Sequence, residues 1–240
     1  MRVLLTGAAG YAGRGIAAIL SAAHHVRSLD IREAPMAAES VIGSIADLDV
    51  CRAALMEMDA AVLCHMAPNP TGYATPVQAI DVNVKGTANL YHCAVEQGLT
   101  RIVLISSTGV LPKAPGATAV PGDGPYNFHH SLYVLTKIMQ EDIARFYHET
   151  HGVSTVILRP GWIVYDEDFT TKYGAKMERY DTGLIDPRDI GAAAAGALAL
   201  PAPGLEAIDL GQDDSGFDVT TARERLGWAP RYRFTGLPRG

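Results

Sequence analysis

Residues 6–13 read Thr6-Gly7-Ala8-Ala9-Gly10-Tyr11-Ala12-Gly13, between an apolar run at residues 3–5 and a helical pattern of apolar residues at 16–20. This order predicts a buried strand, a glycine turn and a helix. A glycine turn at that junction lets a phosphate approach the backbone, and the helix N-terminus offers free N–H groups and partial positive charge to the anion. We therefore predict a nucleotide-binding loop with contacts from Gly7, Gly10, Tyr11, Ala12 and Gly13.

The composition is that of a globular protein, since 48% of the 240 residues are hydrophobic and 19% are charged. The net charge of -6 argues against a nucleic-acid surface, which would be basic. No apolar run approaches the ~20 residues that span a bilayer, and the N-terminal residues read as strand and loop rather than as a signal peptide. Cys51, Cys64 and Cys93 lack metal-ligand spacing and predict reduced thiols in a cytoplasmic protein, and the scattered histidines predict no metal site.

Apolar runs that suit strands alternate with helical patterns along the whole chain. The predicted strands are 2–6, 26–30, 40–43, 60–64, 102–105, 153–158 and 207–210, and the predicted helices are 11–22, 46–58, 76–97, 131–150, 187–200 and 218–227. This alternation predicts an α/β fold, a Rossmann-type doubly wound parallel sheet with its ligand crevice at the carboxyl ends of the strands. We expect a single domain over 1–240, with 1–160 mainly for cofactor binding and 161–240 mainly a small substrate-binding and C-terminal region.

Asp30 ends the second predicted strand, 17 residues beyond Gly13. That offset is close to the ~20 residues at which a carboxylate meets the adenosine ribose of a bound dinucleotide. Such a carboxylate accepts from both ribose hydroxyls and repels a 2′-phosphate, so NAD is favoured over NADP. Arg32 works against this preference because an Arg can accommodate that phosphate, and the plain alternative for Asp30 is a strand-end cap.

Tyr133 and Lys137 are four residues apart on a predicted helix and therefore share a face. Ser106, Ser107 and Thr108 close the fifth predicted strand, beside which this helix would pack. A phenol with a pKa near ~10 is a poor base, but an adjacent ammonium and a nicotinamide cation would lower that pKa. A nearby hydroxyl would then orient the substrate oxygen. The alternative is a surface aromatic and a solvated charge.

Taken together, these residues resemble the extended short-chain dehydrogenase/reductase family, the NAD-dependent sugar epimerases, dehydratases and dehydrogenases. The resemblance covers Thr6-Gly7-x-x-Gly10-x-x-Gly13, Asp30, Asp47-Leu48, residues 83–90 (Asn-Val-Lys-Gly-Thr-Ala-Asn-Leu), Ser106-Ser107-Thr108, Tyr133-x-x-x-Lys137, Leu158-Arg159-Pro160 and residues 218–230. It implies that Tyr133 is the catalytic acid/base, Lys137 its partner, and either Ser107 or Thr108 the substrate-orienting hydroxyl.

The same resemblance implies further cofactor contacts. These are Ile31, Asp47, Leu48, Met66, Ala67, Asn83, Ser106 and Pro160, together with Tyr133 and Lys137. Asp47 is also a plausible N-terminal helix residue without a ligand, or a partner of the adenine amino group. Asn83 is expected to be structural or to face the cofactor.

Only about 80 residues follow Pro160, so the predicted substrate lid is small. In this compact build the chain resembles the uronate dehydrogenases of the family, but it has Ser106-Ser107-Thr108-Gly109 where Ser-Ser-Asn-His would be expected. The long loop at 109–130 is predicted to face the substrate. Further substrate contacts are predicted at His130 and Trp162, beside Ser107, Thr108 and Tyr133, and a substrate carboxylate would need Lys172, Lys176 or Arg179 as its cation.

The sequence predicts an NAD-dependent oxidoreductase that moves a hydride between the nicotinamide and a small sugar, uronate or polyol. One alternative is an epimerase with tightly held NAD, and another is a non-catalytic dinucleotide-binding regulator. The expected partners are a small-molecule substrate and a second copy of the chain, joined through helices 76–97 and 131–150. No nucleic-acid or membrane partner is expected.

Overall fold

The computed structural model describes residues 1–68, 73, 75–111 and 131–239. Its centre is a seven-stranded parallel sheet in the order β3-β2-β1-β4-β5-β6-β9. The seven strands are β1 (Arg2–Thr6), β2 (His25–Asp30), β3 (Glu39–Ile42), β4 (Ala60–Leu63), β5 (Arg101–Ile105), β6 (Ser154–Pro160) and β9 (Leu205–Leu210). Each one corresponds to a strand predicted from an apolar run.

Helices cover both faces of this sheet. They are α1 (Tyr11–Leu20), α2 (Leu48–Leu55), α3 (Pro76–Ala79), α4 (Gly86–Glu96), α5 (Leu132–His151), α6 (Pro187–Ala199) and α7 (Thr220–Leu226), with a π-helix at Ile80–Lys85 and a 3₁₀ turn at Thr108–Val110. Side chains alternate across the sheet, so Leu5 packs in one apolar core with Ile16 and Ile190, and Leu4 packs in the other with Leu90. The predicted Rossmann-like α/β fold is confirmed.

The direction of winding reverses at β1. This strand pairs with β2 on one side and with β4 on the other. The loops that leave β1 and β4 therefore diverge, and they open a crevice at the carboxyl edge of the sheet where ligands bind in folds of this type. The glycine loop and the residues after β4 line that crevice.

The helix predicted at 76–97 is found as a continuous helical stretch from Pro76 to Glu96, but its middle is wider than an α-helix. Between α3 and α4 the chain forms the π-helix, which contains Asn83. The buried amide of Asn83 contacts two other segments of the chain, and a wider turn accommodates those contacts. π-turns of this kind frequently lie at functional sites.

The chain after β6 serves two purposes. A small parallel sheet forms from β7 (Trp162–Ile163) and β8 (Leu184–Ile185), and residues 164–183 between them are largely irregular, as expected. By contrast, α6 packs against α1, and β9 completes the main sheet. Among the described residues, no helix combines the length and apolarity that a membrane crossing requires.

Candidate active site

The glycine loop is tight enough to exclude side chains. Gly7 has a φ of 69°, and its N–H donates to the carbonyl of Leu29 at 2.9 Å. A Cβ on Gly13 would lie 2.0 Å from the carbonyl oxygen of Gly7, so only glycine fits there. Because α1 begins at Tyr11 without a side-chain cap, its first N–H groups, those of Tyr11, Ala12 and Gly13, remain available to an anion.

Asp30 lies beside this loop at the end of β2. Its carboxylate accepts from the backbone N–H of Ala9 at 3.0 Å and from that of Arg32 at 3.2 Å. The Arg32 guanidinium in turn donates to the carbonyl of Ala9 at 3.2 Å. Both residues predicted to influence the choice between NAD and NADP therefore contact the loop, and Ile31 next to them is exposed.

Asp47 caps α2. Its carboxylate accepts from the N–H groups of Asp49 at 2.9 Å and Val50 at 3.3 Å, and Leu48 begins the helix. The structural alternative for Asp47 is thus observed, while contacts of Asp47 and Leu48 with an adenine stay a prediction.

Lys137 lies against the end of β5. Its ammonium donates to the carbonyl oxygen of Ile105 at 2.8 Å, and burial lowers the pKa of Lys137 to about 8. Cys64 lies directly after β4, and its pKa is raised to about 11, mainly by burial. The charge of Lys137 opposes this shift, and the charge of Asp30 adds to it. A Cβ on Gly7 would lie 2.9 Å from the carbonyl oxygen of Cys64, so the glycine loop, with Asp30 beside it, and the end of β4 line one crevice, next to the β5 end that Lys137 contacts.

Tyr133 lies one turn before Lys137 on α5 and is half-buried. Burial raises the pKa of Tyr133 to about 12, and a hydrogen bond with the Ser107 side chain lowers it. The Ser107 hydroxyl also accepts from the N–H of Gly109 at 3.0 Å, whereas the Thr108 hydroxyl donates to the carbonyl of Pro160 at 3.4 Å. The geometry therefore brings Ser107, rather than Thr108, to the phenol.

Ser106 faces away from this pair and into a buried ion pair. Its hydroxyl donates to the Glu141 carboxylate at 2.5 Å, and Arg159 donates to the same carboxylate at 3.0 and 2.6 Å. Glu141 was not predicted as a site residue. Its spacing could have indicated it, because Glu141 follows Lys137 by four residues and so lies on the face of α5 that carries Tyr133 and Lys137.

Asn83 joins three parts of the site. Its carbonyl accepts from the N–H of Ala67 at 2.7 Å, and its amide donates to the Thr136 hydroxyl at 2.9 Å and to the Tyr73 hydroxyl at 3.2 Å. Asn83 thus connects the segment after β4 with α5. These contacts within the protein favour a structural role for Asn83 over direct contact with the cofactor.

A second buried polar group lies behind the crevice and was not predicted. The imidazole of His65 contacts the hydroxyls of Thr6 at 2.9 Å and Thr87 at 3.0 Å, and Gln140 donates to Thr87 at 2.7 Å. Burial lowers the pKa of His65 to about 3, so its ring is neutral and serves as a hydrogen-bond partner. A lone histidine after a strand gives no sequence signal for this arrangement.

The substrate side is only partly described. Trp162 is 55% exposed, and His130 with most of the 109–130 loop lies outside the described residues. Of the three candidate cations, Lys172 reaches the crevice, with its ammonium 3.6 Å from the Met66 sulfur and 5.6 Å from the centre of the Tyr133 ring. Within the described ranges, no group of three or more His, Cys, Asp or Glu side chains could hold a metal ion.

A tyrosine links the glycine loop to the segment after β7. The hydroxyl of Tyr11 accepts from the N–H of Tyr165 at 3.1 Å and donates to the carbonyl of Thr170. The rings of Tyr11 and Tyr165 meet edge to face, with centroids 5.1 Å apart. The segment that carries Lys172 is therefore anchored beside the predicted phosphate site.

Comparison with known sequences identifies the family of the chain. The model of the NAD-dependent epimerase/dehydratase family matches residues 3–179. An L-arabinose 1-dehydrogenase (NAD(P)+) of Haloferax volcanii is 29% identical to the chain over 96% of both proteins. A uronate dehydrogenase of Pseudomonas syringae is 30% identical, over 67% of this chain and 58% of that protein.

Comparison with solved structures supports the fold. A short-chain dehydrogenase/reductase superfamily protein from Agrobacterium tumefaciens, solved with bound NAD, superposes with a TM-score of 0.82. The superposition covers 98% of this chain and 94% of the Agrobacterium protein, and the two sequences are 23% identical.

Proposed function

The chain belongs to the NAD-dependent epimerase/dehydratase family, and on that premise we propose that it is a dehydrogenase that oxidises a hydroxyl group of a small sugar. It is an NAD(P)-dependent oxidoreductase of the extended short-chain class. The observation that carries the proposal is the meeting of Tyr133, Ser107 and Lys137 at the carboxyl end of β5, next to the end of β4, against which the glycine loop packs. Relatives that act on L-arabinose and on uronates support a sugar as the substrate.

The residues of the crevice fit NAD. Gly7 and Gly13 leave room where a Cβ would collide with backbone, and the N-terminus of α1 is free to hold the pyrophosphate. We propose that the Asp30 carboxylate accepts from the ribose hydroxyls and favours NAD over NADP, and that Met66, Ala67 and Pro160 line the site. When bound, NAD supplies the acceptor for the substrate's hydride.

We propose that Tyr133 is the base that takes the proton of the substrate hydroxyl. A phenol whose pKa burial has raised to about 12 needs help to ionise at neutral pH. The Lys137 ammonium, one turn along the same helix face, favours the phenolate, and Ser107 holds the substrate oxygen at the phenol. In the reverse direction the same phenol returns the proton.

Replacement of Tyr133 by Phe tests this function. NADH formation with the best substrate of a panel of sugars, uronates and polyols should fall at least ~100-fold, because a base of this kind contributes that much. The affinity for NAD should stay within about threefold, since the phenol is not needed to hold the pyrophosphate. Retention of more than a few per cent of turnover would refute the role of Tyr133, and NAD that co-purifies without NADH release would indicate the epimerase alternative.

We also propose a homodimer that buries α5 and the α3–α4 region against the same elements of a second copy. Phe146 on α5 is 55% exposed and Val77 on α3 is 63% exposed, and both lie on the helices predicted to pair. Burial of such side chains is a typical driving force for association. Sedimentation velocity of the purified protein tests this by its mass.

We propose two further assignments. The three cysteines are free thiols, which suits a cytoplasmic enzyme, and cell fractionation tests that location. We also propose that residues 1–160 mainly hold the cofactor, while β7, β8 and the segment between them in 161–240 mainly face the substrate. The anchoring of Tyr165 and Thr170 at the glycine loop supports this division.

A further inference from the structure

Lys172 is a cation at the mouth of the crevice that the proposed chemistry does not use. Its ammonium lies 5.6 Å from the centre of the Tyr133 ring, 4.7 Å from that of Tyr173 and 3.6 Å from the Met66 sulfur. The side chain as a whole is exposed, but desolvation of its ammonium among these groups lowers the pKa of Lys172 to about 8. The charge is therefore both oriented by the protein and open to a ligand.

The charges around Lys172 are unbalanced. In the part of the chain that the structure describes, no carboxylate lies within ion-pair distance of Lys172. The charge of Lys172 instead acts on another cation, because it contributes to lowering the pKa of Lys137. Oxidised nicotinamide would add positive charge to the same crevice. An anion bound at Lys172 would relieve this repulsion.

Lys172 is close enough to the phenol of Tyr133 for one small molecule to contact both groups. The reacting hydroxyl must lie at Tyr133, and the ammonium is 5.6 Å from the ring of that residue. Both groups are therefore within reach of one small molecule. Lys176 and Arg179, the other cations of this segment, are exposed and are not among the groups that contact Tyr133 or Met66.

We propose that Lys172 binds an anionic group of the substrate, so that the protein prefers sugar acids or sugar phosphates to neutral sugars. This inference rests on the proposed dehydrogenase function. Carboxylates and phosphates both accept charge-assisted hydrogen bonds from an ammonium, and such bonds are about twice as strong as those between neutral groups. The aromatic faces of Tyr133 and Tyr173 hold the ammonium in place by cation–π attraction.

Matched substrates separate the anionic group from the rest of the sugar. D-galacturonate and L-arabinose share their ring configuration and differ by the carboxylate, and glucose 6-phosphate and glucose differ by the phosphate. For the wild-type protein, kcat/KM for NADH formation should favour one of the two anions over its neutral counterpart by ~10-fold or more. The pair that shows this preference identifies the anion as carboxylate or phosphate.

The Lys172→Met variant should lose that preference selectively. We expect kcat/KM for the anionic sugar to fall about 10- to 100-fold, mainly through KM, and that for the neutral counterpart to change less than about threefold. Lys172→Arg should restore part of the preference because it keeps the charge. Lys176→Met, which removes an exposed cation from the same segment, should behave as the wild type.

Three results would overturn the inference. If Lys172→Met slows the anionic and the neutral sugar equally, Lys172 acts on Tyr133 or on the cofactor rather than on an anion. If the wild-type protein oxidises neutral sugars as well as their anionic counterparts, the dehydrogenase function stands and the anion preference is wrong. If NAD binds and no sugar of either kind yields NADH, the proposed function fails and this inference fails with it.

Discussion

Lys137 shows how one residue can serve both the fold and the proposed reaction. Its ammonium donates to the carbonyl of Ile105 at the end of β5, which holds α5 beside that strand. Burial lowers its pKa to about 8, close enough to neutrality for the charge to respond to its neighbours. The four-residue spacing from Tyr133 predicts the shared helix face, but only the folded chain shows the carbonyl that fixes the lysine.

The hydroxyls of Ser107 and Thr108 are expected to differ in their effect on activity. Ser107→Ala removes the side chain that hydrogen-bonds to Tyr133, so kcat should fall ~10- to 100-fold, as expected for loss of a group that positions the reacting oxygen. Steady-state NADH formation with the preferred sugar measures this.

Thr108→Ala is the matched control. Its hydroxyl makes a long hydrogen bond of 3.4 Å to the carbonyl of Pro160, so kcat should stay within about threefold. The opposite order, with Thr108→Ala the slower enzyme, would assign the positioning role to Thr108. The sequence could not decide between the two, because their register depends on how β5 and β6 end beside each other.

The α5 helix carries several of the site residues and connects them to the main sheet. One of its faces carries Tyr133, Lys137 and Glu141 at intervals of four residues, and its buried residues include the last two. Glu141 then binds Arg159 of β6 and Ser106 after β5, so the helix is fixed to the ends of two neighbouring strands. The position of Tyr133 along the crevice follows from this attachment.

Replacement of Glu141 by Gln should destabilise the protein. Arg159 is 3% exposed, and it would lose the carboxylate that it contacts at 2.6 Å and keep the one of Asp209 at 4.0 Å, which should cost up to about 3 kcal/mol in the free energy of unfolding. Ser106→Ala, which removes a hydrogen bond from the same carboxylate and leaves the charges paired, should cost only about 1 kcal/mol. Urea denaturation of the two variants measures the difference, and equal losses would mean that the Glu141–Arg159 pair is not the main attachment.

The sequence predicts a helix well where the spacing of apolar residues determines its geometry. It does not predict local changes in geometry that accompany contacts with distant residues. The apolar spacing within α6 and α1 reflects the faces that these helices bury against the sheet, and both are found close to their predicted bounds. The helix predicted at 76–97 contains an unpredicted π-turn around Asn83, whose side chain bonds to Ala67 and Thr136, 16 and 53 residues away in the chain. No local pattern encodes those partners.

The molecule as a whole brings together residues that the sequence only places at strand ends. Because all seven strands of the main sheet are parallel, the ends of β1, β2, β4, β5 and β6 meet at one edge, and the cofactor residues predicted at strand ends follow from that rule. Residues off the strands did not follow from it. Lys172, Lys176 and Arg179 are equivalent candidates in the sequence, and only the path of the chain between β7 and β8 distinguishes Lys172.

The packing of β9 against β6 places a carboxyl group in the interior of the molecule. Asp209 is paired in register with Arg159 and is 8% exposed, and its carboxylate lies 4.0 Å from the guanidinium. Burial raises the pKa of Asp209 to about 6, against the lowering effect of Arg159, and the charge of Glu141 raises it further. One guanidinium thus serves two carboxylates, and Asp209 is the more weakly compensated.

This raised pKa predicts an unusual pH dependence of stability. A carboxyl whose pKa is higher in the folded than in the unfolded protein contributes nothing unfavourable below about pH 4, where it is protonated in both states. Its penalty grows as the pH rises from about 4 to about 6 and is complete above that range. Asp209→Asn should therefore gain stability relative to the wild type as the pH rises, by up to about 3 kcal/mol between pH 4 and pH 7.5.

Denaturation by urea at several pH values between 4 and 7.5 measures this gain, with Asp213→Asn as a control whose difference from the wild type should stay nearly constant over this range. Hydrogen bonding to Arg233 lowers the pKa of Asp213, so its stabilising effect is present above the unfolded pKa and is lost as the pH falls. Since Asp213 is half-exposed, that loss should be small. A constant difference between Asp209→Asn and the wild type across this range would show that Asp209 acts through its shape and hydrogen bonds, and that its charge carries no penalty in the folded protein.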